Sequence, residues 1–521
     1  MSWRIGGLRL LGATAPAGPP PPDPVPVECP AGSVSVDSTK TTAQIQSSIN
    51  SAGVGGTICY AQGSYYLTAS LVPLSNQTHV GLGTRGAQLW GTTQVTPVAD
   101  GAGYWSISGF NSLGDAKFPG YTDGDQWGQA HVNGVVAGPM CWERDQVFQD
   151  GVGLWQVDTK AKVLSVASPY GEPNFFRDPT KFWIGVDPAG SSWEVSTLAG
   201  PIFSNGAATG VTFQNLALGR CGTGPKEGAI NVGAGMLIDN CEIAYSHSAG
   251  INLRGNGSRC MNSHIHHAGA LGVHGGQSAC ARVTGLLLEN CQIAYNNAAG
   301  YWPEVGGMKI THSDGFTVRG CFLHHNSGHS IWTDGPNINV LYENNIVEDG
   351  AAAGIYHELG YAATIRNNTV KNCGHGWPPV FGGPWAAGIQ PDQSRDVQIY
   401  NNTVLDCHAG IVAIQQPPHA DQCGYGATAW IENLDVHDNV VKAHNLAGGV
   451  TPVMAGLRLY QEPTDTSFLS TKNNRFENND YYVDNTSLKF FDWSGGWGES
   501  TFTEWQTTHG NDNLGSINVY T

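Results

Sequence analysis

Three acidic residues recur at one position of successive repeats in the middle of this sequence. Asp334, Glu358 and Asp392 each follow an isoleucine by three residues, and that isoleucine closes a Gly-Ile or Ser-Ile pair. Stacked parallel strands lie about 4.8 Å apart, so the three carboxyls would form a column on one exposed face. Carboxylates this close repel one another. The column therefore needs a shared proton, a bound Ca²⁺ ion or a neutralising cation such as Lys309 or Arg366.

A second column is predicted one residue after the same apolar anchors. With Met308 as the anchor of the first coil, this column carries Lys309, Trp332, Tyr356 and Gln390. Aromatic planes combine apolar area with a polar rim, which suits contacts with sugar rings. We therefore predict that the three acids and the lysine are catalytic. Substrate contacts are predicted from Trp332, Tyr356, Gln390 and His357.

Paired carboxyls suit glycoside hydrolysis. Adjacent coils, about 5 Å apart, would suit a retaining pair, and alternate coils, about 9.6 Å apart, would suit an inverting pair. Two alternatives remain open. In a lyase, Lys309 or an arginine would take the proton and the acids would hold Ca²⁺. In a protein without catalysis, the acids would be ordinary solvated turn residues.

Histidines cluster twice in the sequence, within 264–274 and within 324–329. A metal site needs several convergent ligands and groups that orient them. Most of these histidines fall in predicted turns, and the sequence has no Cys-x-x-Cys spacing. We therefore predict no metal site beyond the Ca²⁺ alternative. His325 and His357 remain alternative catalytic histidines.

An internal repeat organises all of these positions. Ile238-Asp-Asn-Cys-Glu-Ile243 returns as Leu288-Glu-Asn-Cys-Gln-Ile293 and, with changes, as Ile365-Arg-Asn-Asn-Thr-Val370. Pairs such as Gly250-Ile251 and Gly272-Val273 follow, with a tightest spacing of 22 residues. A fixed period in short, apolar-alternating runs predicts an all-β solenoid of stacked coils. The Asn or Cys of each phrase would then stack into a ladder.

The repeat resembles the right-handed parallel β-helix of the pectate-lyase-like superfamily, and the likeness covers most of the chain. Thr42–Tyr66 resembles the helical cap that closes the first coil of such proteins, and residues 488–505 resemble their C-terminal cap. Fragments 141–151 and 181–188 resemble an insertion in secreted bacterial β-helix repeat proteins. The phrases Ile331-Trp-Thr-Asp334 and Ile355-Tyr-His-Glu358 resemble the same proteins, which implies a shared site.

These signals divide the chain into five expected segments. They are an N-terminal arm and Pro-rich linker at 1–30, an N-terminal cap with the first coils at 31–99, a Trp-rich β insertion at 100–205, the parallel β-helix at 206–460 and a C-terminal cap at 461–521.

Composition narrows the class of protein. The chain has 521 residues with 70 glycines, and 13% of its residues are charged, which is typical of a turn-rich β protein. The formal charge of −17 disfavours a nucleic-acid partner, because phosphates would repel it. No apolar run reaches the roughly 18 residues of a membrane span. Two disulfides are open alternatives, Cys29 with Cys59 and Cys141 with Cys221.

The N-terminal segment bears on the biological setting. Arg4 and Arg9 interrupt every candidate signal core, so we predict a retained arm before the Pro-rich linker. Phage tailspikes and minor tail proteins resemble this layout. That resemblance implies a virion protein, a homotrimer that binds, and with a catalytic column cleaves, host surface polysaccharide. Residues 1–20 would contact other virion proteins.

Two other settings stay open. One is a secreted, extracellular polysaccharide hydrolase or lyase of a bacterium, and the other is a structural fibre without catalysis.

Overall fold

The computed structural model describes residues 27–113, 131–132, 135–136, 144–157, 159–166, 172–276, 281–298, 304–375, 386–417, 429–443, 453–459, 466–493 and 500–519. The arm residues predicted to anchor the protein, Trp3, Ile5, Leu8 and Leu10, lie outside these ranges. The chain forms two compact units. The first comprises Met1–Asn252, Asn262–His274 and Asn296–Val305, and the second comprises Leu253–Met261, Gly275–Tyr295 and Gly306–Thr521.

The first unit contains three ladders of short parallel strands. One ladder runs through Val34–Val36, Thr57–Tyr60, Thr78–Gly81, Thr212–Gln214 and Leu237–Asp239. The next runs through Gly63–Tyr66, Ala87–Trp90, Leu216–Gly219, Glu242–Ala244 and His264–His266. The third runs through Phe203–Asn205, Gly228–Val232, Ala249–Leu253 and Leu271–Gly276.

Largely antiparallel sheets interrupt these ladders, which confirms the inserted β segment. One sheet joins Val152–Gly153, Val147–Gln149, Trp193–Ser196 and Thr92–Val95. Another joins Trp155–Gln156, Asn174–Arg177, Lys181–Ile184, Trp105–Ser108 and Val98–Ala99, and a hairpin pairs His131–Val132 with Val135–Val136. A short helix spans Lys162–Ser165. The insertion has its own apolar core, in which Phe182 and Ile184 pack with Val147 and Val195.

The second unit repeats the three-ladder arrangement. Its first ladder holds Arg259–Met261, Leu287–Glu289, Thr317–Arg319, Ile338–Glu343, Tyr361–Arg366, Arg395–Tyr400, Asp435–His437 and Arg475–Glu477, with Val283–Thr284 and Ser313–Asp314 beside it. Its second holds Gln292–Ala294, Phe322–His324, Ile346–Glu348, Thr369–Lys371, Thr403–Leu405, Val440–Lys442, Asp480–Val483 and Ser516–Val519. Its third holds Gly306–Thr311, His329–Asp334, Ile355–Glu358, Ala387–Asp392, Ala409–Gln415, Ala455–Leu459 and Phe491–Asp492.

The apolar anchors of the repeat stack as predicted. Ile331 pairs with Ile355, Ile355 with Ile389, and Ile389 with Ile411 in parallel register. All four are buried. Because side chains alternate across a strand, this register turns every second residue inward and fixes which residues face out. The all-β solenoid of stacked coils is therefore confirmed.

The predicted polar ladder is also present inside the second unit. Each asparagine side-chain amide donates to the side-chain oxygen of the residue in the next coil, at 2.8–3.0 Å. The ladder runs Asn345, Asn368, Asn402, Asn439, Asn479 and ends at Asp512. The Asp512 carboxyl also accepts from Tyr481 and Trp505. Buried amides are thus satisfied along the stack.

Helices cap the apolar interior of each unit. Helix Thr42–Ala52 begins with a capping box at Thr41 and buries Ile45 and Ile49. Helix Phe502–Thr507 begins with a capping box at Thr501 and buries Trp505. A further short helix spans Phe468–Thr471. These helices confirm the two predicted caps, which protect coil ends that would otherwise be exposed.

One of the two disulfides that the sequence leaves open is present. Cys29 and Cys59 are bonded, whereas Cys221 is a buried free thiol. Cys141, its expected partner, lies outside the described residues. In the part of the chain that the structure describes, no helix is long and apolar enough to cross a membrane.

Candidate active site

The two predicted columns lie on the third ladder of the second unit. Lys309 pairs with Trp332, Trp332 with Tyr356, and Tyr356 with Gln390. Glu358 pairs directly with Asp392 in the same register. The strands that carry these residues are Gly306–Thr311, His329–Asp334, Ile355–Glu358 and Ala387–Asp392.

The acids therefore follow one another from coil to coil. Thr333 pairs with His357, so the next residues, Asp334 and Glu358, are neighbours on adjacent strands. Both are partly exposed, whereas Asp392 is fully buried. The expectation that all three acids lie on one exposed face therefore fails at Asp392.

Lys309 neutralises one end of the acid column. Its Nζ lies 2.7 Å from Asp334 Oδ2 and 3.6 Å from the centroid of the Trp332 ring. The lysine side chain is almost fully buried. The adjacent carboxylate and the aromatic face both stabilise the ammonium of Lys309.

Glu358 occupies the centre of the column, and its surroundings alter its pKa. Burial raises the pKa of Glu358 well above its usual range, and the charges of Asp334 and Asp392 raise it further. Lys309 and a hydrogen bond from Trp332 act in the opposite direction on this pKa. The net effect raises the pKa of this carboxyl, which favours its protonated form. Trp332 Nε1 donates to Glu358 Oε2 at 3.0 Å, so Oε1 is the oxygen that this bond leaves for a proton.

Asp392 is held by neutral donors. Tyr356 donates its hydroxyl to Asp392 Oδ2 at 3.0 Å, and Gln416 Nε2 donates to the same oxygen at 2.7 Å. Burial, followed by the charge of Asp392, raises the pKa of Tyr356 well above its usual value. Tyr356 is consequently a neutral phenol that acts as a donor.

The aromatic rings do not form the open platform that the sequence predicts. The Trp332 and Tyr356 rings stack with centroids 5.6 Å apart, and they are only 7% and 2% exposed. His329 packs against both rings, at 4.8 and 4.6 Å between centroids. Gln390 is also fully buried, with Oε1 accepting from the backbone of Ala387 at 3.4 Å. These residues shape the site around the acids and do not present free faces to solvent.

Two histidines proposed for the site lie elsewhere. His357 points into the interior, where Nδ1 lies 2.8 Å from Thr333 Oγ1 and 3.2 Å from Tyr342 OH. Burial lowers the pKa of His357 to about 3. Its predicted contact with substrate is therefore wrong for this conformation. His325 follows a strand of the second ladder and faces Asp349 at 3.7 Å, so the fold does not bring it to the acids.

Sequence reasoning missed His329 and Gln416. His329 lies two residues before the anchor Ile331, a position that simple alternation would turn inward. Burial and the nearby charge of Lys309 lower the pKa of His329 to about 3, so this imidazole is neutral. Gln416 follows the strand Ala409–Gln415, and no repeat position marks it. Only the three-dimensional arrangement identifies either residue.

Asp334, Glu358 and Asp392 are the side chains that would have to hold a Ca²⁺ ion. Calcium takes six to eight oxygen ligands, largely from ionised carboxylates. Here Asp334, Glu358 and Asp392 already accept hydrogen bonds or an ion pair from protein donors. Within the described ranges, no group of three or more His, Cys, Asp or Glu side chains is arranged to hold a metal ion.

Comparison with known proteins identifies the fold. A family model described as a right handed beta helix region matches residues 228–404. Among solved structures, the complex of XylC with xylose is similar over 90% of this chain and 82% of XylC, with 11% identity and a TM-score of 0.57. The chain is a right-handed parallel β-helix protein. No curated protein sequence matches it significantly.

Two further structures resemble this β-helix at lower similarity. The A-module of Azotobacter vinelandii mannuronan C-5 epimerase AlgE4 matches 96% of this chain and 97% of its own, with 12% identity and a TM-score of 0.47. The Pseudomonas phage phi297 tailspike gp61 matches 87% and 73%, with 13% identity and a TM-score of 0.36. At these identities the likenesses concern the fold alone.

Chemically, the β-helix site places a carboxyl of raised pKa beside a carboxyl that is paired with a lysine. The pKa of Glu358 is raised on a partly exposed side chain, and Asp334 on the adjacent strand forms an ion pair with Lys309. Adjacent strands place the two about 4.8 Å apart along the axis. Two carboxyl groups in opposite protonation states are the requirement for acid-assisted cleavage of a glycosidic bond.

Proposed function

We propose that this β-helix protein is a glycoside hydrolase that cleaves polysaccharide, with Glu358 as the proton donor. The observation that carries the proposal is the contrast between Glu358, whose pKa is raised by burial beside two other acids, and Asp334, which Lys309 contacts at 2.7 Å. Glu358 Oε1–H gives its proton to the glycosidic oxygen as the C1–O bond breaks. The XylC structure contains xylose, and sugar binding is extended to this chain only as part of the proposal.

Asp334 is assigned the second role. A separation of about 5 Å between the carboxyls suits a retaining mechanism. Asp334 then attacks C1 and forms a glycosyl ester, and the leaving sugar departs with the proton from Glu358. In the second step, ionised Glu358 takes a proton from water. The water oxygen then attacks C1 and displaces the Asp334 carboxylate from the ester, which restores ionised Asp334 and protonated Glu358.

The lyase alternative is less favoured by the same geometry. Elimination needs a neutral or anionic base beside the sugar. Lys309 is an ammonium in an ion pair, and the raised pKa of Tyr356 keeps its phenol neutral. The pKa of His329, about 3, makes its imidazole a weak base. None of these three groups is set up to remove a proton from carbon, so the base would have to be Asp334, the carboxylate that the hydrolase proposal uses as its nucleophile.

The deciding experiment screens the purified protein against bacterial surface polysaccharides. A hydrolase releases new reducing ends without unsaturated products, and Glu358→Gln should abolish release while substrate binding persists. Glu28→Gln, at an exposed glutamate before the first strand, is the matched control and should behave as wild type. Unsaturated products, or full turnover by Glu358→Gln, would rule the proposal out.

For the biological setting, we propose a virion-associated, tailspike-like homotrimer anchored through residues 1–20. The Pro-rich segment between this arm and the cap supports the proposal, since it suits a semi-rigid spacer. Deletion of residues 1–20 should leave a folded, soluble trimer by sedimentation that no longer joins virions. Normal incorporation of the deletion variant would refute the anchoring role.

A second setting, a secreted extracellular hydrolase, is favoured by a specific observation. Cys29 and Cys59 form a disulfide, and disulfides persist mainly in oxidising compartments outside the cytosol. Labelling of free thiols in protein taken directly from its native source separates the settings. A bonded pair supports export, and two reactive thiols support assembly in a reducing cytosol.

A further inference from the structure

A polar groove lies on a different sheet from the acid column. It runs along the first ladder of the second unit and encloses about 670 Å³. The strands beneath it are Ile338–Glu343, Tyr361–Arg366, Arg395–Tyr400, Asp435–His437 and Arg475–Glu477. Five adjacent strands span about 19 Å from first to last, which is long enough for an extended chain molecule.

One rim of the groove is a row of residues with positive φ. In chain order these are Asn339, Ala362, Asp396, Asn433 and Asn473. Asn473 Nδ2 donates to Asn433 Oδ1 at 3.2 Å, and Asn433 Nδ2 donates to Asp396 Oδ1 at 2.8 Å. On the other side, Asn339 Nδ2 donates to Asp314 Oδ1 at 2.9 Å. The side-chain ladder is thus continuous on both sides of Ala362.

Ala362 interrupts this exposed ladder. Its neighbours pair in register, since Val340 faces Ala363 and Ala363 faces Val397, so Ala362 lies between Asn339 and Asp396. A methyl group can neither bridge the two polar side chains nor fill the space of an amide. The φ of 52° is also one that Asn adopts more readily than Ala. The alanine therefore opens the rim at the centre of the groove.

The opposite rim carries charge that is already compensated. Arg366 Nη2 lies 2.6 Å from Glu343 Oε2, and Arg366 Nη1 donates to Tyr400 OH at 3.1 Å. At the far end, Arg475 binds Asp435 through two hydrogen bonds of 2.9 and 2.7 Å. An anionic ligand would have to compete with these carboxylates for the guanidinium groups.

The lining specifies a hydroxyl-rich, uncharged ligand. Amide, guanidinium, phenol and carboxylate groups supply donors and acceptors side by side, which matches hydroxyls that need both. Leu341 and Thr364 add small apolar surface at the floor, and Ala362 adds a methyl group at the rim. We propose that this groove binds a neutral oligosaccharide at a site separate from the acid column. Binding here does not depend on hydrolysis, so it goes beyond the proposed catalytic function.

The test uses the full chain carrying Glu358→Gln, so that no saccharide is turned over. Cellohexaose, xylohexaose, mannohexaose and maltohexaose are titrated by isothermal calorimetry. At least one should bind, and adding Ala362→Asn should weaken that binding by about tenfold or more, because the amide bridges the rim and fills the groove. Ala102→Asn is the matched control, since Ala102 also has positive φ but lies in the insertion. It should leave affinity unchanged.

Three results would overturn the proposal. One is that none of the four hexasaccharides binds. Another is that Ala362→Asn binds the sugar as tightly as its parent while its melting temperature shows a folded protein. The last is that Ala362→Asn changes only the sedimentation coefficient, which would make the groove a contact between copies of this chain. Loss of turnover in Glu358→Gln has no bearing on these outcomes, so the two proposals fail separately.

Discussion

Trp332 Nε1 donates a hydrogen bond of 3.0 Å to Glu358 Oε2, from the coil that precedes the glutamate. The bond fixes which carboxyl oxygen is available to carry the proton. It also opposes the burial and the neighbouring charges that raise the pKa of Glu358. Trp332 thereby orients the proton donor and stabilises the form in which it must receive a proton back from water.

Glu358→Gln should reduce turnover by about 10²–10⁴-fold with little change in substrate affinity, because proton donation is lost and the shape is retained. Initial rates and equilibrium binding on the same polysaccharide measure the two effects. In the wild type, the alkaline limb of the rate profile should follow the raised pKa of Glu358. If the rate instead falls at the pH where ordinary glutamates ionise, Glu358 is not the proton donor.

Asp334→Asn should lower the pKa of Glu358. The negative charge of Asp334 is the second largest cause that raises this pKa, after burial, so its removal makes ionisation of Glu358 easier. Carbon-13 NMR of labelled glutamate carboxyls follows the titration directly. Asp484→Asn, which alters an exposed acid, is the control and should leave the Glu358 titration in place. An unchanged or higher pKa in Asp334→Asn would show that the two carboxyls are not coupled.

The pH dependence of stability should also report on Glu358. Its pKa is raised on folding, so the folded state holds more protons than the unfolded state between the two pKa values. Stability therefore falls as pH rises through that window, and the contribution is fully present only below the pKa of an unfolded glutamate. Glu358→Gln cannot ionise, so its melting temperature should decline less with pH than that of the wild type. Parallel curves for the two proteins would refute this.

Hydrolysis should proceed with retention at the anomeric carbon. Asp334 and Glu358 lie on adjacent strands, and a separation of about 5 Å suits a covalent intermediate. Proton NMR of the first-formed product decides the anomer before mutarotation. Inversion would contradict the assignment of Asp334 as the nucleophile.

Asn402→Ala should destabilise the β-helix strongly. Asn402 Oδ1 accepts from both the backbone and the side chain of Asn368, and each buried donor left unpaired costs about 1–3 kcal/mol. Denaturant unfolding gives the free energy. Asn513→Ala, at an exposed turn, is the control and should change stability by less than about 0.5 kcal/mol. A similar loss of unfolding free energy in both variants would show that the ladder does not stabilise the fold.

The repeat period predicts the register well because one rule governs every coil. Alternation from Ile355 places Tyr356 and Glu358 on the outer face, and the same rule places His357 inside. The prediction that His357 contacts substrate thus departed from a signal already present in the sequence. Alternation and stacking together also account for the asparagine ladder.

Period alone could not predict what covers the outer face. Trp332 and Tyr356 face outward from the sheet, yet both are buried because they stack on each other and against His329. Gln416 reaches Asp392 from beyond the end of a strand. Such contacts depend on side-chain packing and on chain segments that lie beyond the strands. Neither of these follows the repeat spacing of the sequence.

The asparagine ladder has a direction. Every amide from Asn345 to Asn479 donates toward the C-terminus, and Asp512 receives the last hydrogen bond without an amide of its own to pass on. A duplicated coil with its own asparagine could be spliced between any two rungs and continue the chain of bonds. Beyond Asp512 it could not, because a carboxylate offers no donor. The last rung therefore ends the ladder, and an added coil could continue it only from within the stack.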